Sequence, residues 1–216
     1  MNTSASTPRI PLTLKLAYTA FLAVLVPVYW LKYGPTNFLY FCDLALFLTL
    51  AGIWTENRLL ISMPAVGILI PQVLWCVDFV VQATGHKFTG MTAYMFNTER
   101  PIFLRGLSFF HGWLPFLLVF LVSRLGYDRR ALPAWTGLAW TVCLISYFFL
   151  PGPSVANAAG AAPCNVNYVW GLDDSAAQSC VPSGVYLAGW MLALLSVLYI
   201  PTHFALRKLF PQERMA

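Results

Sequence analysis

The chain is built from long apolar runs separated by short polar segments. Six of these runs come close to the ~20 residues with which a helix, rising about 1.5 Å per residue, crosses a ~30 Å hydrocarbon core. They occupy residues 12–31, 37–54, 59–81, 102–122, 133–150 and 184–204. None alternates like a strand of an outer-membrane barrel, and lipid offers no hydrogen-bond partners to a backbone that is not helical. The pattern predicts an all-α polytopic bundle of six transmembrane helices, forming one integral membrane domain over residues 1–216.

The composition supports this class of protein. Hydrophobic residues make up 59% of the chain and charged residues only 10%, whereas a soluble domain carries roughly a quarter charged residues. These values exclude an ordinary soluble enzyme and a disordered chain. The formal net charge of +5 does not indicate a nucleic-acid partner, because the 13 Lys and Arg residues stand singly between apolar runs and form no basic groove.

The distribution of Lys and Arg predicts the orientation, because cytoplasmic loops of membrane proteins are enriched in both. With the N-terminus inside, nine cations fall on the cytoplasmic side: Arg9, Lys15, Arg58, Arg124, Arg129, Arg130, Arg207, Lys208 and Arg214. Four fall on the outer side: Lys32, Lys87, Arg100 and Arg105. We therefore expect both termini in the cytoplasm of a bacterial inner membrane protein, with loops 82–101 and 151–183 facing outward.

The second outer loop carries two cysteines. Its first part, Pro151–Pro163, is rich in Pro, Gly and Ala and is typical of a flexible linker. Cys164 and Cys180 follow, sixteen positions apart. In an oxidising compartment this spacing predicts a disulfide worth ~3 kcal/mol on the chain-entropy model; the alternative is two unpaired thiols.

Four ionisable residues lie in the outer half of the predicted spans, where each charge costs at least ~2.5–3.5 kcal/mol. Asp43, Asp78, Arg105 and His111 all fall within roughly 5–14 Å of the outer edge. Arg105 and His111 share a helical stripe with Ser108. The pattern predicts a polar site in the outer half of the membrane. Two structural alternatives stay open: an Asp78–Arg105 ion pair that joins the third span to the fourth, and an Asp43 carboxylate that accepts hydrogen bonds at the start of its helix.

No cofactor or metal site is predicted. The sequence lacks HExxH and CxxCH motifs, a phosphate-binding loop, a dinucleotide fingerprint and a GxSxG motif.

Two segments resemble known membrane enzymes. Tyr33-Gly34, followed by Phe38–Leu46 (FLYFCDLAL), is similar to the second span of the androgen-inducible-protein family of lipid hydrolases and of the YwaF-type family. The YwaF-type family has a Leu-Cys-Asp core there and a human relative that is a cysteine-dependent phospholipid transacylase. The later segment Phe110–Phe116 (FHGWLPF) is similar to their His-containing span. The whole chain also resembles a bacterial set described only as membrane-associated proteins.

The resemblance implies a nucleophile on the second span and a His on a later one. The Thr nucleophile of the first family would fall at Tyr40, which cannot replace it, so Cys42 is the residue that the second family matches. His111 is the matching base.

The first functional hypothesis is a thiol-dependent lipid acyl hydrolase or transacylase acting on membrane lipids. Cys42 would be the nucleophile and His111 its base. Asp43 or Asp78 would orient the imidazole, and Arg105 would hold a phosphate or an oxyanion. The alternative is a non-enzymatic small subunit or scaffold of a larger membrane complex, with other membrane subunits as partners.

Overall fold

The computed structural model describes residues 9–158, 163–173 and 176–211, and every regular element in them is helical. The α-helices are α1 (Leu12–Tyr33), α2 (Phe41–Thr55), α3 (Arg58–Ala83), α4 (Ala93–Phe96), α5 (Ile102–Ser108), α6 (Phe110–Leu125), α7 (Ala131–Phe149), α8 (Pro153–Ala158), α9 (Ser183–Ala193) and α10 (Ile200–Leu209). Two short 3₁₀ turns, Pro35–Leu39 and Val166–Tyr168, and a π-helical stretch, Leu194–Tyr199, complete the described elements. Arg214, counted above among the cytoplasmic cations, lies outside the described residues.

The predicted all-helical fold is confirmed in the described residues, and five helical segments are long and apolar enough to cross a membrane, consistent with an integral membrane protein. They are α1, α3, α5 with α6, α7, and α9 with α10. The second predicted span is shorter than expected: α2 has 15 residues, or ~22 Å, against a hydrocarbon core of ~30 Å. The expected helix over 37–54 begins late because its first residues form the 3₁₀ turn Pro35–Leu39.

Two of the predicted spans are interrupted. The fourth is divided at Phe109, whose N–H is shared between the carbonyls of Arg105 and Gly106, so the helix tightens locally. The last span contains the π-helical stretch Leu194–Tyr199 just before Pro201. Proline cannot donate to the carbonyl four residues earlier, which permits the irregular turn.

Helix α3 is the centre of the bundle and packs against α2, α6, α7 and α10. Its residues 61–68 are all buried. Two glycines allow the close approach of its neighbours: Gly52 of α2 faces Ile61, and Gly67 of α3 lies directly under the Trp135 indole of α7. The core of the bundle therefore depends on small residues at helix crossings, as is common in membrane proteins.

Polar contacts define one face of the bundle. Glu56 ends α2 in a left-handed conformation (φ +50°) and accepts hydrogen bonds from the backbone N–H groups of Arg9 and Ile10 and from Lys15. The Lys15 hydrogen bond lowers the pKa of this carboxyl. On the same face the Asp128 N–H donates to Ser62 near the start of α3. Glu56 and Asp128 thus connect the loops at this face.

The start of α1 and the end of α10 lie at this same face. Tyr127, next to Asp128, is hydrogen-bonded to His203 of α10 at 2.6 Å. His203 is also buried, so Tyr127 is its specific partner in the interior of the described structure.

At the opposite face, part of the long outer loop packs onto the start of α2. Asn167 has a positive φ of 56°. Its side chain accepts the Phe41 N–H at 3.0 Å and donates to the Leu39 carbonyl at 2.8 Å. An N–H at the first turn of a helix has no partner within the helix, so this loop supplies the cap of α2. Residues 153–158, expected to be part of a flexible linker, form helix α8.

The predicted disulfide between Cys164 and Cys180 is not formed. The Asn165 side chain closes one turn by donating to the Gly171 and Asp173 carbonyls. Cys180 belongs to a separate turn, where its N–H donates to the Gln178 side chain. Sequence spacing alone does not determine whether two Cα atoms come within the ~7 Å that a disulfide needs.

Candidate functional site

A group of polar residues lies at the face that loop 163–173 covers. We call this group the outer polar cluster, after the side of the membrane on which the sequence predicts it. It comprises Tyr29, Asn37, Cys42, Asp43, Gln72, Trp75, Tyr94, Arg105, Ser108 and His111. These side chains come from five parts of the chain: α1, the turn before α2 with α2 itself, α3, the loop containing α4, and α5 with α6.

Asp43 lies in the first turn of α2 and is 2% exposed. One carboxylate oxygen, Oδ2, accepts a hydrogen bond from the Asn37 amide at 3.0 Å. The other, Oδ1, is buried and has no partner among the described residues. Asp43 is an acceptor near the start of its helix, but its partner is a side-chain amide and not the backbone N–H groups expected from the sequence. A buried acceptor without a partner costs about 1–3 kcal/mol, more for a charged group, so Oδ1 is a position where a ligand would be stabilised.

Cys42 precedes Asp43 and is partly exposed. Burial raises the pKa of the Tyr94 phenol, the hydrogen bond from Trp75 opposes this, and the Cys42 thiol adds to the rise electrostatically. Cys42 therefore lies in the same region of the bundle as Tyr94.

His111 is the second residue of α6, immediately after the break at Phe109. Its Nδ1 atom is hydrogen-bonded to the Gln72 side chain of α3, with 2.9 Å to Nε2 and 3.2 Å to Oε1. The imidazole stacks between Trp75 and Phe110, with ring centroids 5.5 and 4.1 Å away. The sequence suggested that Asp43 or Asp78 orients the imidazole. In the structure the Gln72 amide does so.

Trp75 and Tyr94 connect the two residues that the sequence proposes as a pair. The Trp75 indole N–H donates to the Tyr94 hydroxyl at 3.2 Å, and the same indole stacks on His111. No hydrogen bond joins Cys42 to His111 in the described structure; Trp75 stacks on the imidazole, and the Tyr94 phenol that Trp75 binds is affected electrostatically by Cys42.

Asp78 and Arg105 do not form the expected ion pair. The Asp78 carboxylate accepts five hydrogen bonds of 2.6 to 3.0 Å from the outer loop: two from N–H and hydroxyl of Thr89, one from the Gly90 N–H and two from Thr92. These bonds satisfy both oxygens and hold the loop against the end of α3. Asp78 is an anchor for the loop.

Arg105 donates to the Met95 carbonyl at 3.0 Å, while its Nε is buried without a partner in the described residues. A carbonyl cannot neutralise a cation, so Arg105 keeps its capacity for an anionic group. Ser108, which shares its stripe, is hydrogen-bonded to the Tyr29 hydroxyl at 2.8 Å. Ser108 thus connects α5 to α1.

Cys76 is the cysteine in direct contact with the His111 residue, although not with its imidazole. Its Sγ lies 3.9 and 3.8 Å from the carbonyl oxygens of His111 and Gly112. Pro115 has no N–H to donate to the His111 carbonyl four residues earlier, so Cys76 supplies a weak donor in its place. Next to this contact an apolar groove of about 510 Å³ runs between α3 and α6. Its lining includes Leu69, Val73, Val77, Pro115, Phe116 and Val119.

Sequence reasoning missed Gln72, Trp75 and Tyr94. Gln72 could have been proposed as a site residue, because a polar amide is unusual within an apolar run. Tyr94 could not, because it lies in a loop whose path only the structure defines. In the described part of the chain, no group of three or more His, Cys, Asp or Glu side chains could hold a metal ion.

Comparisons with models of protein families, with curated proteins and with solved structures found no match to this chain.

Proposed function

We propose that the protein is a six-span membrane protein with both ends of the chain in the cytoplasm. Two observations support this topology. The start of α1 and the end of α10 lie at one face, which an even number of crossings requires, and that face carries the larger number of Lys and Arg residues. The turn Pro35–Leu39 together with α2 makes a second segment of sufficient length, with loop 163–173 covering its outer end.

We further propose that the outer polar cluster carries out thiol-dependent acyl transfer on membrane lipids. The single observation that supports this most is the Tyr94–Trp75 hydrogen bond, because it joins the phenol on which Cys42 acts electrostatically to the indole that stacks on His111. The apolar groove beside His111 offers space for an acyl chain. Ester carbonyls of lipids lie at the boundary between headgroup and hydrocarbon, where a site at the outer end of the spans would meet them.

In this proposal Gln72 decides which nitrogen of His111 is basic. If the Gln72 oxygen accepts the hydrogen of Nδ1, the lone pair is left on Nε2, and Nε2 is the base. The Cys42 thiol gives its proton to Nε2 through one water molecule, since no direct hydrogen bond joins the two groups.

The thiolate then attacks the ester carbonyl, and the negative charge develops on the carbonyl oxygen. Trp75 donates a hydrogen bond to the Tyr94 oxygen, so the Tyr94 hydroxyl remains available as a hydrogen-bond donor to this oxyanion. Arg105 would be a second hydrogen-bond donor. The C–O bond to the alcohol breaks, and the alcohol takes the proton from the imidazolium. The acyl thioester is released by water or by the hydroxyl of a second lipid, activated by the same His111.

Purified protein in phospholipid vesicles tests this mechanism. With isotope-labelled acyl chains in the lipids, we expect a labelled thioester on Cys42, detected by mass spectrometry and removed by hydroxylamine. Cys42→Ser should abolish the adduct, and His111→Gln should lower its rate of formation by at least ~100-fold.

Cys143→Ser is the matched control, because Cys143 is a buried cysteine of α7 that belongs neither to the outer polar cluster nor to the lining of the groove. It should form the adduct at the wild-type rate. Wild-type protein that forms no adduct and releases no fatty acid from any phospholipid would exclude the enzymatic proposal. The scaffold hypothesis would then be the one to pursue, by isolating the protein with its membrane neighbours.

A further inference from the structure

The face opposite the outer polar cluster carries a dense group of cations. They come from the start of α3, the loop between α6 and α7, and the end of α10: Arg58, Arg124, Arg129, Arg130, Arg207 and Lys208. We call this group the basic face. Two acidic residues lie at this face in the described structure: Glu56, which is bound by Lys15, and Asp128, which is bound by Arg130 through two side-chain hydrogen bonds of 3.1 and 2.8 Å.

Three separate elements bring these cations together. The Arg58 side chain packs beside Gly126, where its Cδ would lie 3.7 Å from an added Cβ. Arg58 also contributes, after Arg130, to lowering the pKa of Asp128. On the other side, the hydrogen bond of 2.6 Å between Tyr127 and His203 brings the loop that carries Arg129 to α10, where Arg207 lies one turn after His203. Both cations act electrostatically on the His203 ring. The Tyr127–His203 hydrogen bond therefore joins the loop between α6 and α7 to the end of α10, beneath these two cations.

Arg129 and Arg207 have no carboxylate partner in the described residues, where the ion pairs are Lys15–Glu56 and Arg130–Asp128. Both cations are exposed. Because both cations lie near the same buried ring, an anion bound between them would be attracted by both charges. Guanidinium groups match the oxygens of a phosphate in bidentate geometry.

The surroundings favour a lipid over a free anion. Phe204, next to His203, is 58% exposed, and Leu209 at the end of α10 is 67% exposed. Phe204 is three residues before Arg207 and shares a face of α10 with it, so an apolar surface lies next to this cation, as acyl chains lie next to a headgroup phosphate. We propose that Arg129 and Arg207 form a binding site for the headgroup of an anionic phospholipid, separate from the outer polar cluster and independent of its proposed chemistry.

Native mass spectrometry of the full chain in detergent tests the proposal, with phosphatidylglycerol and phosphatidylcholine of identical acyl chains as probes. We expect phosphatidylglycerol to bind at least ~10-fold more tightly than phosphatidylcholine. The double variant Arg129→Gln/Arg207→Gln should lose this preference. The matched control Lys32→Gln/Lys87→Gln removes the same charge from exposed positions at the opposite face and should keep it.

Equal binding of both lipids to the wild type would overturn the proposal. So would loss of the preference in the control variant, or its retention in the double variant. Addition of inorganic phosphate should not displace the lipid; displacement would show that the site takes free phosphate. If the double variant does not fold, Arg129→Lys/Arg207→Lys replaces it, because this variant keeps the charge but not the bidentate geometry. It should bind phosphatidylglycerol with reduced affinity. Unchanged affinity would contradict the assigned geometry.

Discussion

Replacing Gly67 by Ala should disrupt the crossing of α3 and α7 that underlies the site. A Cβ at Gly67 would overlap Cε2, Nε1 and Cζ2 of the Trp135 indole, far inside the 3.0 Å limit that real Cβ atoms respect. Trp135 is 0% exposed and is enclosed by Phe41 and Tyr199, with ring centroids 6.0 and 6.4 Å away. The indole has no free space into which to move.

The size of the effect follows from this geometry. To reach ordinary contact the rigid indole must withdraw by more than about 1 Å, and any such movement pushes against Phe41 or Tyr199. Inserting a methylene into a packed core costs about 1–3 kcal/mol and occasionally more. We expect about 3 kcal/mol for Gly67→Ala, because the overlap is with a ring and not with the end of a flexible chain. For a chain of this length that lowers the melting temperature by about 6–12 °C.

Thermal unfolding in detergent measures the effect, with a thiol-reactive dye that reports exposure of the buried Cys143. Gly137→Ala is the control, because Gly137 lies on α7 and a Cβ there meets nothing within 4 Å. It should melt at or slightly above the wild-type temperature, since Ala favours helix over Gly by up to ~1 kcal/mol. In a Trp135→Leu background, Gly67→Ala should cost less than half as much. A wild-type melting temperature for Gly67→Ala, or an equal cost in both backgrounds, would refute the reasoning.

Two further predictions concern polar contacts. Asn167→Gly keeps the positive φ but removes the cap of α2, and should cost about 1 kcal/mol in thermal unfolding; an unchanged melting temperature would show that the loop does not stabilise α2. The Arg130 hydrogen bond lowers the pKa of Asp128 below its ordinary value. The carboxylate therefore stabilises the fold above about pH 4, and the contribution is lost as the pH falls toward the lowered value. Between pH 7 and pH 3, Asp128→Asn should lose less stability than the wild type, and equal losses would contradict this assignment.

The sequence by itself determined the class of the protein, because the cost of exposing backbone polar groups to lipid acts on every residue of an apolar run. The same local physics predicted most of the helix positions. It did not predict the late start of α2. The outer loop, through Asn167, supplies the cap of that helix from 126 positions away along the chain.

In the candidate site, too, the sequence predicted some features and the tertiary structure decided the others. Depth along a helix follows from residue number, so the gathering of Asp43, Arg105 and His111 toward one end could be expected from the sequence. Their partners could not. Asp78 binds the loop and not Arg105, and His111 binds Gln72 and not an aspartate.

Only the tertiary structure decided these pairings. A hydrogen bond requires atoms within ~3 Å, and that precision depends on how each helix is rotated and where each loop returns. Rotation is set by contacts such as Trp135 on Gly67, and loop paths by side chains such as Asn165 and Asn167. Cys164 and Cys180 form no disulfide for this reason: the described residues next to each cysteine form separate hydrogen-bonded turns, which no spacing along the sequence reveals.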